Sequence, residues 1–288
     1  MMSYLRQIFT TPAFTASIQT TETAAHALRS GLLFGLGQTL ALSAKGQSFL
    51  WPYLFGGNPI MPGATPPQWC LCLLGVAIGL AILMRRQWTA VWRNLRGAEH
   101  ETDTAEWPTL VLAAVPCLLV QWRLNSWGGH FQAAAAIAVF LLLSAGVLRL
   151  ADRWGQEAVE SSPHVPPWLA LLGGVAAGFA VLPGLSAVAI LLATGLYSRA
   201  SGVGAGRFAL MTMTIVVAVE GLVRLPAAFA SWPPQFLPLL VGAAAGAAAG
   251  GALLLWLLGA VRRRALPMLI SYCTATAGLL LLFGVFNK

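Results

Sequence analysis

Charge is what this chain has least of. Only 9% of its 288 residues are Asp, Glu, Lys or Arg, against 58% hydrophobic, and the mean hydropathy is +0.75. Soluble domains carry roughly a quarter charged residues, so a soluble fold is excluded and a polytopic membrane protein remains. Acids are scarcer than bases, with nine Asp and Glu against seventeen Lys and Arg. The resulting net charge of +8 does not point to nucleic acid, because the arginines sit in short loops beside apolar segments, where cytoplasmic retention uses them. Cysteine and histidine number four each. Cys70, Cys72, Cys117 and Cys273 lie in or at the edge of apolar runs with no histidine nearby, which reads as core thiols rather than a metal site or disulfide framework. His26, His100, His130 and His164 fall in loops or at segment ends and take no role. Met1–Phe14 has one base, Arg6, and no continuous apolar core before polar Thr15–Thr23, so it does not read as a cleaved signal peptide.

What the chain does have is long apolar runs, two of them broken. Thr15–Arg29 reads as a surface helix. Gly31–Leu42 is too short to span, since about twenty residues are needed, and Ser43-Ala-Lys-Gly-Gln-Ser48 interrupts it before Phe49–Phe55. Full spans follow at Trp69–Met84, Trp107–Trp122, which carries Pro116 as an expected kink, and Phe131–Leu150. After the polar loop Asp152–Pro166, the run Pro167–Leu182 meets a Pro183-Gly184 break and resumes as Leu185–Tyr197. Phe208–Leu225, Phe236–Val261 and Leu266–Phe286 close the chain.

The order is hairpin, three spans, hairpin, three spans. Gly35-Leu-Gly-Gln-Thr-Leu-Ala-Leu42 and Gly174-Val-Ala-Ala-Gly-Phe-Ala-Val181 share a local pattern, and the odd number of spans between them inverts the second copy. The expected fold is therefore an all-α polytopic membrane protein with an inverted-topology repeat, each half a re-entrant helical hairpin plus three transmembrane helices. It forms a single membrane domain over 1–288, with a surface helix at 1–28 and repeats at 29–150 and 167–288. With hairpins returning to their own side, eleven of the seventeen bases share one side, from Arg85 and Arg86 to Arg262, Arg263 and Arg264. The positive-inside rule makes that side cytoplasmic and puts the C-terminus outside.

A helix break in lipid survives only when buried in protein or lining a polar cavity, so the polar residues at the two breaks are the site candidates. Ser43 and Ser186 occupy corresponding positions, where a serine caps a helix N-terminus and the same N-terminus attracts anions. Gly184 accompanies Ser186. Gln38 and Gln47 either donate to phosphate oxygens or satisfy the broken backbone. Lys45, in the first hairpin tip, either meets an anionic head group or snorkels to the interface. Glu220 is the only acid inside an expected span, and Arg224, four residues on, shares its helix face. They form either a self-neutralising pair or a functional carboxylate with its partner. Gly242-Ala-Ala-Ala-Gly246 with Ala249-Gly250-Gly251 offers a small-residue face for close packing, within the fold or in a homodimer. Glu99–Glu106 reads as a solvated loop.

These residues resemble the undecaprenyl-diphosphatases of bacterial cell-wall synthesis, the bacitracin-resistance proteins, over nearly the whole chain. Gly31–Gln47 is similar to the family's first motif, a Gly-rich helix with two glutamates and then Phe-Leu-Pro-x-Ser-Ser-x-Gly-His. Leu182–Leu191 is similar to the second, Pro-Gly-x-Ser-Arg-Ser-Gly-Ala-Thr, and Gly195-Leu, Arg199 and Arg207-Phe208 resemble the connection after it. The resemblance implies paired re-entrant hairpins with six spans, a place in the bacterial inner membrane, and a polyprenyl phosphate or diphosphate lipid as partner. It also marks departures. Phe34 and Gln38 stand at the two glutamates, Ala41 at the proline, Ser43 and Ala44 at the paired serines, and Gln47 at the histidine. Pro183, Gly184 and Ser186 are kept, but Ala187, Val188 and Leu191 replace the arginine, second serine and threonine.

Cleaving a diphosphate needs a cation or Arg clamp and a base or activated nucleophile, and this set is neutral. The expectation is a non-catalytic relative that binds and translocates polyprenyl (undecaprenyl) phosphate, with no cofactor. Two alternatives stay open. One is a working undecaprenyl-diphosphate phosphatase centred on Ser186, with Lys45 for the lost arginine and a divalent cation. The other is a transporter or accessory subunit for another amphipathic substrate.

Overall fold

A computed structural model describes residues 66–96, 107–125, 131, 133–156, 165–230, 244–246, 248 and 266–286. The elements there are helical: α1 (Pro66–Leu83), α2 (Arg85–Leu95), α3 (Trp107–Leu124), α4 (Ala134–Gln156), α5 (Pro167–Gly178) with a 3-10 turn at Phe179–Val181, α6 (Ala187–Tyr197), α7 (Gly202–Ala230) and α8 (Leu266–Phe286). Among the described residues, Trp107–Leu124, Ala134–Arg153 and Gly202–Pro226 are long and apolar enough to cross a membrane, and α1 with α2 would add a fourth crossing if that bent pair is one span. The protein is a polytopic, helical membrane protein. Its surface agrees: Ile82, Trp122, Val139, Leu172, Val223 and Met268 each stand more than half exposed, an outward apolar coat that suits lipid and not water.

The centre is α6, whose residues from Ala187 to Leu196 are all buried. A helix apolar on every side must be enclosed by others, and α4, α5 and α7 enclose it. α5 and α6 have 12 and 11 residues, about 18 and 17 Å at 1.5 Å per residue, well short of a hydrocarbon core about 30 Å thick. α5 also lies against α3. There Gly174 comes so close that a Cβ would sit 2.1 Å from the Ala113 carbonyl oxygen, and Gly178, one turn on, faces Val120 and Cys117. This Gly-x-x-x-Gly face lets two backbones touch. α7 packs on α1, where the Cys70 thiol donates to the Gly221 carbonyl at 3.2 Å. α8 packs on α4 through Ile137, Leu141, Ala277 and Leu280.

Several boundaries differ from the sequence expectation. α4 runs six residues beyond Leu150 and takes in Asp152, and α7 begins at Gly202 and continues past Leu225 to Ala230. Polar residues at a span end stay helical, because the backbone keeps its internal hydrogen bonds there whatever the side chains meet. α3 continues through Pro116. The expected surface helix Thr15–Arg29, the first hairpin, the Glu99–Glu106 loop and most of Phe236–Val261 lie outside the described residues. Of the small-residue face, residues 244–246 and 248 are helical, with Ala245 buried.

Candidate functional site

The break between α5 and α6 is a tight turn made by its own sequence. The Leu185 N–H donates to the Leu182 carbonyl at 3.2 Å, and Gly184 has φ +102°. Proline second and a positive-φ glycine third is the type II pattern, with the proline ring presetting its own φ. Space makes the same demand as conformation, since a Cβ at 184 would lie 2.5 Å from the Ile137 carbonyl oxygen on α4. Pro183, Gly184, Leu185 and Ser186 are buried, so the break sits inside protein, where a bilayer tolerates one.

Ser186 is the N-cap of α6, with φ −109° and ψ 119°, and its Oγ accepts from the Ala189 N–H at 3.2 Å. A hydroxyl that accepts once still has its proton to give. The Ser186 N–H donates to Ser144 Oγ at 3.2 Å, and Ser144 Oγ donates to the Gly184 carbonyl at 3.3 Å. One fully buried hydroxyl on α4 thus pairs with both a donor and an acceptor of the turn. The sequence reading missed Ser144. Its one signal was being a lone hydroxyl in the run Phe140–Val147, and nothing local ties it to a turn 42 residues away. Ser144→Ala is expected to destabilise the protein by about 1–3 kcal/mol, the cost of losing two buried hydrogen bonds, and a thermal melt in detergent checks this.

The next amides, Ala187 and Val188, belong to the first turn of α6, which has no internal acceptors for its N–H groups. Their residues are 8% and 2% exposed, so this positive helix end lies in a low-dielectric setting that favours an anion. On α7, the helix packed beside α6, Thr212 is fully buried and its Oγ1 has no hydrogen-bond partner among the described residues.

The structure brings Gly184 and Ser186 together and adds Ser144 to them. It also joins Glu220 to Arg224, with Nη2 and Oε1 2.8 Å apart on α7 and both side chains partly exposed. Gln38, Ser43, Lys45 and Gln47 lie outside the described residues.

The sequence profile described as "Bacitracin resistance protein BacA" matches residues 20–279. The chain belongs to the BacA family. Among its curated relatives, the undecaprenyl-diphosphatase of Syntrophotalea carbinolica is 26% identical over 263 residues, covering 88% of this chain and 96% of its own. The undecaprenyl-diphosphatase of Geobacter metallireducens is 28% identical over 271 residues, 91% of this chain and 98% of its own. That of Synechococcus sp. strain CC9605 is 26% identical over 291 residues, 95% and 98% of the two chains. Spanning helices in a member of this bacterial family mark a multi-pass protein of the inner membrane. In this member of the BacA family, the Pro183-Gly184 break is thus a buried type II turn feeding the capped, buried helix α6.

Proposed function

We propose that this BacA-family protein binds a polyprenyl phosphate carrier lipid with the phosphate at the N-terminus of α6, and moves it across the bilayer without cleaving a diphosphate. The observation that carries the reading is the contrast at the break. Its Pro-Gly-x-Ser geometry is intact, with a free hydroxyl proton on Ser186 and a buried helix N-terminus. The positions that resemble the family's arginine, second serine and threonine are instead Ala187, Val188 and Leu191, at 8%, 2% and 0% exposure. Those methyl, isopropyl and isobutyl groups pack into the core and supply neither charge nor proton.

The short, mutually packed helices α5 and α6 support a re-entrant hairpin. Paired with the Gln38–Gln47 segment in an inverted repeat, such a hairpin would hold a head group near the midplane. A phosphate there gains from the helix dipole and the Ser186 hydroxyl. Hydroxyls, amides and methyls do not make a cation site. No group of three or more His, Cys, Asp or Glu occurs among the described residues, and Phe34 and Gln38 stand where the family's motif has glutamates. The described residues at this break do not fit a divalent cation.

A working phosphatase is the second reading, favoured by the names of the relatives above and by the retained Ser186. Purified protein given undecaprenyl diphosphate with divalent cations separates the two. Expected are no phosphate release above protein-free micelles, retention of polyprenyl phosphate in native mass spectrometry, and about tenfold weaker retention in Ser186→Ala, as one charge-assisted hydrogen bond implies. Robust phosphate release abolished by Ser186→Ala would establish the phosphatase instead. Failure to speed the flipping of a fluorescent polyprenyl phosphate beyond empty liposomes would remove translocation, and absence of any bound polyprenyl lipid would favour another amphipathic substrate.

A further inference from the structure

α2 is a feature that a carrier-lipid site does not use. α1 ends at Leu83, and the chain turns by 75° through Met84 into α2. Hydrogen bonds continue across the corner, from the Met84 N–H to Leu80 at 2.9 Å and from the Trp88 N–H to Met84 at 3.0 Å. An arginine-rich helix set at that angle to an apolar span suits the membrane surface better than its interior. Its inner face is fixed by Ala90 and Val91, both buried, and by Trp88 packed on the core. At about 100° per residue, Arg85, Arg86, Thr89, Trp92, Arg93 and Arg96 fall on one outer sector, and all six are exposed.

No acid occurs between Arg85 and Arg96, and among the described residues Arg85 and Arg86 have no ion pair. Trp92 stands 57% exposed with the Arg96 guanidinium stacked 5.0 Å from its ring centroid. An exposed tryptophan at the end of a span belongs to the head-group layer. Arginine there meets phosphate as a planar fork, with about fivefold in affinity per residue near an anionic surface.

We propose that the outer face of α2 docks the anionic head groups of the surrounding phospholipids, at a surface separate from the α6 N-terminus. The bend sets the helix at lipid-phosphate depth, the buried inner face holds it there, and the arginine and tryptophan side chains complement a phosphodiester. The acidic run Glu99, Glu101, Asp103 and Glu106 follows within ten residues of Arg96, and it is the competing occupant.

The test is native mass spectrometry of the full-length protein titrated with phosphatidylglycerol or phosphatidylcholine. Phosphatidylglycerol is expected to bind about a hundredfold more tightly, the product of three such contributions. Combined Arg85→Gln, Arg86→Gln and Arg96→Gln should lower its affinity to the phosphatidylcholine level. The three corresponding lysine substitutions should keep most of it, and Ser186→Ala should leave it unchanged, which separates this face from the carrier-lipid site. Equal binding of the two lipids would overturn the proposal, as would undiminished phosphatidylglycerol binding by the glutamine variant. So would selective binding that appears only after Glu99→Gln, Glu101→Gln, Asp103→Asn and Glu106→Gln, because the acidic run would then own the face.

Discussion

Gly184→Val is expected to leave no folded, monodisperse protein. Position 184 has φ +102°, a region that a β-branched residue essentially does not enter. The new side chain would also begin 2.5 Å from the Ile137 carbonyl oxygen and 3.0 Å from Phe140 Cβ. Neither neighbour can yield cheaply, since one is helix backbone and the other is the root of a side chain. The turn cannot swing away either, because its carbonyl is held by Ser144. Gly184→Ala meets the same obstacles at smaller scale and should cost about 3 kcal/mol from strain and overpacking together. Cys70, Cys72, Cys117 and Cys273 are free and buried, so a thiol-reactive dye reads unfolding without any added probe. A valine variant that melts with the parent would show that the turn is not the rigid element described above.

That turn was legible in advance because proline and glycine act locally. A Pro-Gly pair inside an apolar run dictates a break and a positive φ wherever the rest of the chain lies, and a serine two residues on dictates a cap. The spans expected at Trp107–Trp122, Phe131–Leu150 and Phe208–Leu225 were legible by length and composition for the same reason. What escaped depends on distance or on context. Ser144 serves the turn from another helix, and no local pattern assigns a lone hydroxyl to a partner 42 residues away. In sequence the Arg85–Arg96 run reads as loop because its charge outweighs its periodicity. Yet its outward residues recur at helical spacing, and Trp88 and Val91 mark the inward face. Glu220 and Arg224 were placed on one face by the four-residue rule, and they pair as that rule requires. The rule is silent on whether the carboxylate serves a ligand, because a neutralised pair and a poised one have the same spacing.

The second large effect is expected from Ala187→Arg, which puts an arginine where the resemblance to the family has one. Ala187 is 8% exposed at the first position of α6. Without lipid, a guanidinium there loses hydration, meets no counter-charge from Ser186, Ser144 or the neighbouring methyls, and lies against the positive end of the helix dipole. The cost should be about 3 kcal/mol or more, seen as a fall of the thermal midpoint by several degrees in lipid-free detergent. Polyprenyl phosphate reverses the sign of the local field. Bound at the α6 N-terminus, it becomes the missing partner in a charge-assisted pair, and ligand that binds only the folded state raises stability in proportion to its affinity. Added lipid should therefore raise the midpoint of the variant more than that of the parent. If lipid stabilises the parent but not the variant, the phosphate lies elsewhere. If the variant is as stable as the parent without lipid, the helix end is wetter than its burial implies. Diphosphate cleavage is not expected to follow from the arginine alone, because a clamp without the carboxylates replaced by Phe34 and Gln38 holds a phosphoryl group but gives it nothing to react with.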